Sequence, residues 1–294
     1  MNKNVFTALL LCAAVLFASV PVSAADSPIS GKTVICFGDS LTASGTWENI
    51  LTSRFGVTFV NAGVGGTTTE TSVSRFKTDV LAKKPDIVLI CFAYNDAVKI
   101  NRVSSRVSVE DYRKNLEWYV TELQKIGCDV ILFSPNPVIE EYFNANPLHP
   151  GEDYVEDGGI NALISRYTDV MAEVAKKYDE YYVNLNAAFD GLDLYSLINT
   201  DGTHPNANGY AVYAKCLGNF IESEYNFLRG DANRDGSLNA TDYLIVKRAF
   251  LGTYTLTKSC RRAGDADGNG VIGAADYLMI KRVILGTYSF TEEK

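Results

Sequence analysis

The chain contains two histidines, and one of them lies in a segment suited to acid–base catalysis. His204 follows Asp201 in the run Asp-Gly-Thr-His-Pro. A carboxylate at this spacing can accept a hydrogen bond from one ring nitrogen, which leaves the other nitrogen to take a proton from a nucleophile. The other histidine, His149, has no orienting acid beside it, and we expect it to be a loop or rim residue.

Ser40 is the candidate nucleophile for such a base. It lies in the run Gly-Asp-Ser-Leu, directly after an apolar, strand-like segment at 33–37. A serine at a strand-to-helix turn exposes its oxygen, and the N-terminus of the following helix favours developing negative charge. The run differs from the Gly-x-Ser-x-Gly elbow of α/β-hydrolases, which would lie in the middle of the chain.

Two further segments offer hydrogen-bond donors. The glycine-rich run at 61–67 exposes backbone N–H groups, which suit either a phosphate or an oxyanion. No Gly-Lys-Ser/Thr sequence follows it and no ribose-binding acid is evident, so an oxyanion donor is favoured. Asn95 follows a third strand-like segment. A side-chain amide that donates to an oxyanion stabilises the transition state by roughly 3 kcal/mol in other hydrolases.

A second kind of chemistry is indicated by two acidic loops near the end of the chain. In each loop, Asp or Asn falls at positions 1, 3, 5 and 12, glycine at position 6, and a backbone carbonyl is available at position 7. This is the ligand spacing of a twelve-residue calcium loop. Acidic surface turns are the alternative, but two loops in one register, each before an apolar helix, favour calcium. The candidate ligands are Asp231, Asn233, Asp235, Ser237 and Asp242 in the first loop, and Asp265, Asp267, Asn269, Val271 and Asp276 in the second.

Alternating strand-like and helix-like segments precede these loops and would position the first set of residues. Amphipathic stretches at 109–126 and 160–178 lie between short β-branched runs. Nearly continuous apolar strands indicate burial on both faces, as in a parallel sheet covered by helices. The pattern therefore predicts a three-layer α/β sandwich with ligands bound at the carboxyl edge of its sheet. The predicted strands are 33–37, 57–60, 87–92, 129–134 and 181–184.

The net charge and the first residues of the chain indicate which partners and which location to expect. The 294 residues carry a net charge of −8, which argues against a nucleic-acid partner because phosphate binding needs clustered Lys and Arg. Residues 1–24 have the basic start, apolar run and small-residue cleavage site of a signal peptide. A membrane anchor is the alternative, but the run is short and Pro21 closes it, so we expect export without membrane attachment.

Five cysteines follow this leader, an odd number without metal-site spacing. Cys36 and Cys91 lie in apolar strand-like runs, where a thiol usually behaves as a small buried apolar group. A disulfide between them is the alternative, and it requires the two strands to be neighbours.

The order of the serine, glycine, asparagine and histidine blocks resembles that of the GDSL or SGNH hydrolase family, over about 32–222. The resemblance implies a flavodoxin-like sheet of five parallel strands and a serine esterase that needs no cofactor for catalysis. By the same resemblance Ser40 is the nucleophile, and His204 is the base that Asp201 orients.

The resemblance also implies an oxyanion hole. Its donors would be the backbone N–H groups of Ser40 and Gly66 and the side-chain amide of Asn95. The third block of the family usually begins with glycine, and here Ala93 takes that place. The substitution leaves the amide donor intact.

The two acidic loops, over about 229–288, resemble the type I dockerin of cellulosome enzymes. Position 12 is Asp where an ordinary EF-hand has Glu, and no helix precedes the first loop. The resemblance implies a small all-α module folded by two structural Ca²⁺ ions, with a cohesin domain of a scaffold protein as its partner. In dockerins the residues at loop positions 10 and 11 bias partner choice. Here they are Ala240, Thr241, Ala274 and Ala275.

These features predict a signal peptide at 1–24, an esterase domain at 30–224 and a dockerin domain at 228–290. The leading hypothesis is a secreted, cellulosome-bound esterase that removes acetyl groups from plant cell-wall polysaccharide. A lysophospholipase or thioesterase is the second hypothesis, and acyl-chain-length kinetics would separate the two. A non-catalytic carbohydrate-binding or structural scaffold component is the third, and the joint presence of all four blocks disfavours it.

Overall fold

The computed structural model describes residues 27–100 and 102–290, so the predicted signal peptide lies outside the described residues. Its centre is a sheet of five parallel strands, which confirms the predicted parallel sheet. The five strands are β1 (Val34–Gly38), β2 (Phe59–Gly63), β3 (Ile87–Cys91), β6 (Asp129–Phe133) and β7 (Tyr181–Val183). Their order across the sheet is β2-β1-β3-β6-β7.

The strands β1 and β3 are buried over their whole length, as their apolar sequences predict. Alternate side chains of β1 belong to two hydrophobic cores. Ile35 and Phe37 point to one face of the sheet, and Val34 and Cys36 point to the other. An element buried on both faces needs helices on both, because either face alone would expose apolar surface to water.

Helices cover both faces and complete the predicted three-layer sandwich. The helices α3 (Thr69–Asp79), α5 (Val109–Gln124) and α7 (Ile160–Lys177) pack on one face. The helices α2 (Thr46–Phe55) and α8 (Ala207–Tyr225) pack on the other. Shorter elements connect them: α1 (Ser40–Ala43), α4 (Tyr94–Ala97), a hairpin of β4 (Lys99–Ile100) and β5 (Ser104–Ser105), and α6 (Glu140–Asn144).

The strand β2 begins and ends later than the sequence predicts. Its last three residues belong to the glycine-rich run, yet they pair with β1, where Cys36 lies opposite Asn61 and Gly38 lies opposite Gly63. Pairing with a buried central strand outweighs the low strand propensity of Asn and Gly. The glycine-rich loop is therefore shorter than predicted, because it begins only after Gly63.

The two acidic loops are each followed by a helix, α9 (Ala240–Phe250) and α11 (Ala274–Ile284), which pack against each other. A third helix, α10 (Lys258–Gly264), which the sequence analysis did not predict, precedes the second loop. The buried core of this unit is small and consists of Ala232, Val246, Ala266 and Ile280. A core of this size stabilises a fold only weakly, so the unit needs a further source of stability.

The helix α10 contacts the starts of the strands β6 and β7, where Arg262 donates to the hydroxyl of Tyr181, the first residue of β7. Lys258 and Arg262 form ion pairs with Asp129, the first residue of β6. The guanidinium of Arg262 also lies 4.3 Å from the ring centre of Tyr225, at the end of α8. The helical C-terminal unit therefore lies at the amino edge of the sheet.

The five cysteines within the described residues all carry free thiols. Cys36 and Cys91 lie in the same core, and burial raises the pKa of both thiols. A neutral buried thiol is a poor nucleophile, so we assign both a packing role. Within residues 27–100 and 102–290, no helix is both long and apolar enough to cross a membrane.

A buried acid in α2 makes the stability of the fold depend on pH. Glu48 is 1% exposed, and its Oε1 accepts a hydrogen bond of 3.1 Å from the Asn61 amide. Its Oε2 has no partner among the described residues. Burial raises the pKa of Glu48 to about 8. The folded chain therefore keeps a proton that the unfolded chain releases at a pKa of about 4.3.

We expect the free energy of unfolding to fall as pH rises through this window, because the unfolded state binds fewer protons there. Glu48 alone accounts for roughly 3 kcal/mol between pH 5 and pH 8. Glu48→Gln removes the titrating group and should flatten this part of the pH dependence. Urea unfolding at the two pH values, followed by tryptophan fluorescence, measures the effect.

Both tryptophans, Trp47 and Trp118, lie in the α/β sandwich, so their fluorescence reports on that unit alone. Glu110→Gln is a matched control, because the Glu110 side chain is 78% exposed. An unchanged pH slope in Glu48→Gln would contradict the assignment.

Candidate active site

Ser40 is the first residue of α1 and directly follows Asp39 at the end of β1. The side chain of Asp39 caps this short helix by accepting a hydrogen bond of 3.0 Å from the Leu41 amide. The turn leaves Ser40 half-buried, whereas Asp39 is fully buried. Ser40 thus lies at the carboxyl edge of the sheet, where the sequence predicts it.

Ser40, His204 and Asp201 form a chain of two hydrogen bonds. The Nε2 atom of His204 lies 2.8 Å from the Oγ atom of Ser40, and its Nδ1 atom lies 2.8 Å from Oδ2 of Asp201. The other carboxylate oxygen of Asp201 accepts bonds of 2.9 Å from the amides of Thr203 and His204. Burial alone would raise the pKa of Asp201, but these hydrogen bonds outweigh it and hold the pKa below its usual value. The acid is therefore ionised at neutral pH.

The loop that carries His204 is held at three places. Ile198 and Pro205 form an isolated bridge across its base. The side-chain amide of Asn136 donates to the Thr203 carbonyl at 2.9 Å. The hydroxyl groups of Thr203 and Tyr94 lie 2.8 Å apart. Contacts of this kind limit the motion of a loop and keep its side chains in one orientation.

Asn95 lies at the start of α4 and is oriented by Asp39. Its Nδ2 atom donates to Oδ2 of Asp39 at 3.1 Å, which leaves its second amide hydrogen for another acceptor. Burial raises the pKa of Asp39 to about 6, against the hydrogen bonds from Leu41 and Asn95. One buried carboxyl group thus connects the serine turn with the asparagine.

Ala93 adopts a strained backbone conformation. Its φ angle is 119°, in a region where non-glycine residues are rare and where strain amounts to about 1–3 kcal/mol. Ala93 stands where the family usually has glycine, and its positive φ angle gives the reason for that preference. The strain lies directly beside Asn95.

The glycine-rich loop passes against Ser40. A Cβ atom on Gly65 would lie 3.7 Å from the Cβ atom of Ser40. Gly66 has a φ angle of 74°, which favours glycine, and its N–H group has no acceptor among the described residues. The Val64 amide donates to the Gly38 carbonyl at 3.1 Å and so fixes the start of the loop on β1.

His149 lies apart from this hydrogen-bonded chain. Its ring stacks on Phe143, with ring centres 5.0 Å apart and an angle of 6° between the planes. Its Nδ1 atom is buried and has no partner among the described residues, and burial lowers its pKa. The half-buried ring therefore packs at the end of α6.

Several residues of the site were not predicted from the sequence. The capping of α1 by Asp39 and its bond to Asn95 depend on long-range placement, although an Asp directly before the serine is a recognisable helix cap. Asn136 follows β6 at the same carboxyl edge as Ser40, and this position was the available signal. Thr203 and Tyr94 carry no comparable pattern.

The two acidic loops have the same internal hydrogen bonds. In the first loop, Asp231 accepts from the Gly236 amide at 2.8 Å, and in the second, Asp265 accepts from Gly270 at 2.6 Å. The residue at position 12 is fully buried in both loops, although it carries a carboxylate. Buried carboxylates at matching positions fit a cation, because burial of unpaired charge is otherwise unfavourable.

The second loop shows how closely the acids approach. Carboxylate oxygens of Asp265, Asp267 and Asp276 lie within 4.8 Å of one another. Burial, followed by the charge of Asp276, raises the pKa of Asp265. A donor set made only of oxygen atoms suits a hard cation such as Ca²⁺. Residues 240, 241, 274 and 275 are exposed at the starts of α9 and α11.

Two regions of the chain match known protein families. Residues 36–212 match the GDSL-like Lipase/Acylhydrolase family, and residues 226–289 match the Dockerin type I domain. The chain belongs to the GDSL-like lipase/acylhydrolase family. It is a GDSL hydrolase with a C-terminal type I dockerin domain, as the resemblances implied.

Relatives of this GDSL hydrolase include two bacterial proteins. An uncharacterized lipoprotein, YqeF, of Bacillus subtilis is 31% identical over 182 residues, which cover 56% of this chain and 75% of the relative. An acetylxylan esterase of Geobacillus stearothermophilus is 25% identical over 171 residues, which cover 56% of this chain and 72% of the relative.

Solved structures agree on the fold. A lipase/acylhydrolase from Enterococcus faecalis has a TM-score of 0.55 and 25% identity, and the match covers 65% of this chain and 95% of that one. A catalytic mutant of an acetylxylan esterase from Geobacillus stearothermophilus has a TM-score of 0.53 and 22% identity, and the match covers 66% and 96%.

Asp201→Asn tests the acid of the hydrogen-bonded chain. An amide in this place can donate to Nδ1 and favour the wrong tautomer of His204, so we expect kcat to fall by about 10²–10⁴-fold with little change in stability. Steady-state kinetics on an aryl acetate measures the loss. Asp193→Asn is the matched control, because Asp193 caps the short helical turn Leu194–Ser196 in the segment before His204. Equal losses in both variants would contradict a specific role for Asp201.

Proposed function

We propose that the chain hydrolyses carboxylic esters through an acyl-enzyme on Ser40. The observation that carries this proposal is the pair of 2.8 Å contacts that join Ser40 to His204 and His204 to Asp201. A serine bonded to a histidine that is bonded in turn to a carboxylate is the arrangement that activates a hydroxyl group. Membership of an acylhydrolase family supports it.

In the first half of the reaction, the Oγ atom of Ser40 attacks the ester carbonyl while Nε2 of His204 takes its proton. The N–H groups of Ser40 and Gly66 and the Asn95 amide bind the oxyanion that forms. His204 then gives the proton to the leaving alcohol, and the acyl group stays on Ser40. In the second half, His204 activates a water molecule that releases the acid and restores the serine.

We propose acetyl groups on plant cell-wall polysaccharide as the substrate. Two observations support this choice. One relative of the catalytic domain is an acetylxylan esterase. The dockerin domain indicates attachment to a scaffold of the kind that cellulosome enzymes share. The first observation points to the ester and the second to its setting.

Ser40→Ala should abolish activity while the fold is retained, because the hydroxyl group is the only part removed. We expect kcat to fall by about 10⁴-fold or more on an aryl acetate. Acetate release from acetylated xylan, pectin and mannan should fall in parallel. The rates of the wild-type enzyme on these three polysaccharides show which one it prefers. Unchanged tryptophan fluorescence unfolding is the control for folding. Retained turnover in Ser40→Ala would exclude the assignment.

We further propose that the dockerin domain binds two Ca²⁺ ions and that the protein works outside the cell on a cohesin-bearing scaffold. Side chains at positions 1, 3, 5 and 12 and the carbonyl at position 7 of each loop would hold the ions. The ions supply positive charge that the buried carboxylates lack, and this binding energy adds to folding. The small core of the domain supports this need. The predicted signal peptide would direct export.

Calcium removal should separate the two domains functionally. With excess EGTA, we expect the dockerin domain to unfold and cohesin binding to weaken by at least 100-fold, whereas kcat on an aryl acetate should stay within about twofold. Titration calorimetry with a cohesin domain and far-UV circular dichroism measure the first effect. Tryptophan fluorescence, which reports only on the α/β domain, should not change. Equal cohesin binding in EGTA and in calcium would refute the proposal.

A further inference from the structure

Arg75 lies in the middle of α3 and connects the ends of two strands. Its Nη1 atom donates to the Ala62 carbonyl at 2.6 Å, and its Nη2 atom donates to the Gly38 carbonyl at 2.8 Å. The guanidinium also lies 4.5 Å from the ring centre of Phe37, and the side chain is only 15% exposed. One planar group thus holds two backbone carbonyls on neighbouring strands.

The two carbonyls belong to the segments that lead into the site. Gly38 is the last residue of β1 and lies two residues before Ser40. Ala62 lies in β2, shortly before the loop that contains Gly66. The separation of these two carbonyls sets the separation of the loops that follow them. Arg75 is therefore placed to control how the N–H groups of Ser40 and Gly66 face each other.

The start of the same helix is attached to the third candidate donor. The amide and hydroxyl groups of Thr69, the first residue of α3, donate to one carboxylate oxygen of Asp96 at 2.9 and 2.5 Å. Asp96 directly follows Asn95 and is fully buried. The Tyr119 hydroxyl donates to the Thr69 carbonyl and further fixes this end of the helix. One helix thus contacts all three segments that carry candidate oxyanion donors.

We propose that Arg75 is a positioning residue for the oxyanion hole, acting through the Gly38 and Ala62 carbonyls. The proposal rests on the esterase function proposed for Ser40. An oxyanion hole works only when its donors are held in place before charge develops, because reorganisation during the reaction would cancel their benefit. Arg75 does not touch the substrate, so its loss should act on the transition state and leave substrate binding nearly unchanged.

Arg75→Met and Arg75→Lys in the full chain test this role. Methionine keeps much of the apolar stem and removes both donors, whereas lysine keeps the charge but lacks the planar fork. We expect kcat on an aryl acetate to fall about 30–100-fold in Arg75→Met and less in Arg75→Lys, with KM within about threefold. Thermal unfolding, followed by tryptophan fluorescence, identifies an assay temperature at which every variant is folded.

A tetrahedral inhibitor provides a readout that a purely structural role would not change. An arylboronic acid forms a tetrahedral adduct on the serine, so its inhibition constant should rise in each variant by a factor similar to the fall in kcat. Asp79→Asn is the matched control. It removes the ion pair between Asp79 and Arg75 but leaves both carbonyl contacts, so kcat and boronic acid inhibition should stay within about twofold.

The outcomes separate this inference from the proposed function. If Ser40→Ala is inactive and folded Arg75→Met keeps wild-type kcat, the positioning role is wrong and the esterase assignment stands. A fall in kcat without weaker boronic acid inhibition would also overturn the positioning role. Activity retained in Ser40→Ala would instead overturn the esterase assignment.

Discussion

All five strands of the sheet run in the same direction, and this constraint brings the site together. Parallel strands end at a common edge, so segments far apart in sequence meet where β1, β2 and β3 end. Ser40, Gly66 and Asn95 come from three such segments. The loop that carries His204 lies near the end of the same domain in sequence, directly before α8. A mixed sheet with the same residues would scatter them over two edges.

The parallel sheet also explains why the site contains buried acids. Loops at the carboxyl edge lie over the ends of buried strands, where few water molecules can solvate a carboxylate. Asp39 and Asp96 lie there, and burial raises the pKa of each, to about 6 and about 7. Both acids accept hydrogen bonds from neighbouring segments. Their burial is unfavourable for folding, and in return they hold separate loops in register.

The sequence was sufficient to predict the parts of this protein that depend on local pattern. The apolar runs of β1 and β3 marked buried strands, and the spacing of Asp201 and His204 marked a bonded pair. The two acidic loops repeat one spacing, and the repeat indicated the dockerin domain more clearly than a single acidic turn could. In these cases the signal lies within a short segment or in its repeat.

Features that depend on distant contacts could not be predicted. Asn61 to Gly63 has poor strand propensity, yet the segment pairs with β1 because that strand is buried. No local pattern marks the role of Arg75, because its two carbonyl partners lie 13 and 37 residues away in sequence. Helix α10 has no apolar stripe and forms where its basic residues meet Asp129 at the start of β6 and Glu180 just before β7.

The placement of the dockerin has a consequence for access to Ser40. Its helix α10 contacts the starts of the strands, and Ser40 lies where they end. A strand of five residues separates those edges by about 16 Å. The dockerin therefore contacts the edge of the sheet opposite to Ser40. Under the proposed function, a polymer can approach the edge that carries Ser40 without meeting the dockerin, so attachment to a scaffold leaves the serine accessible.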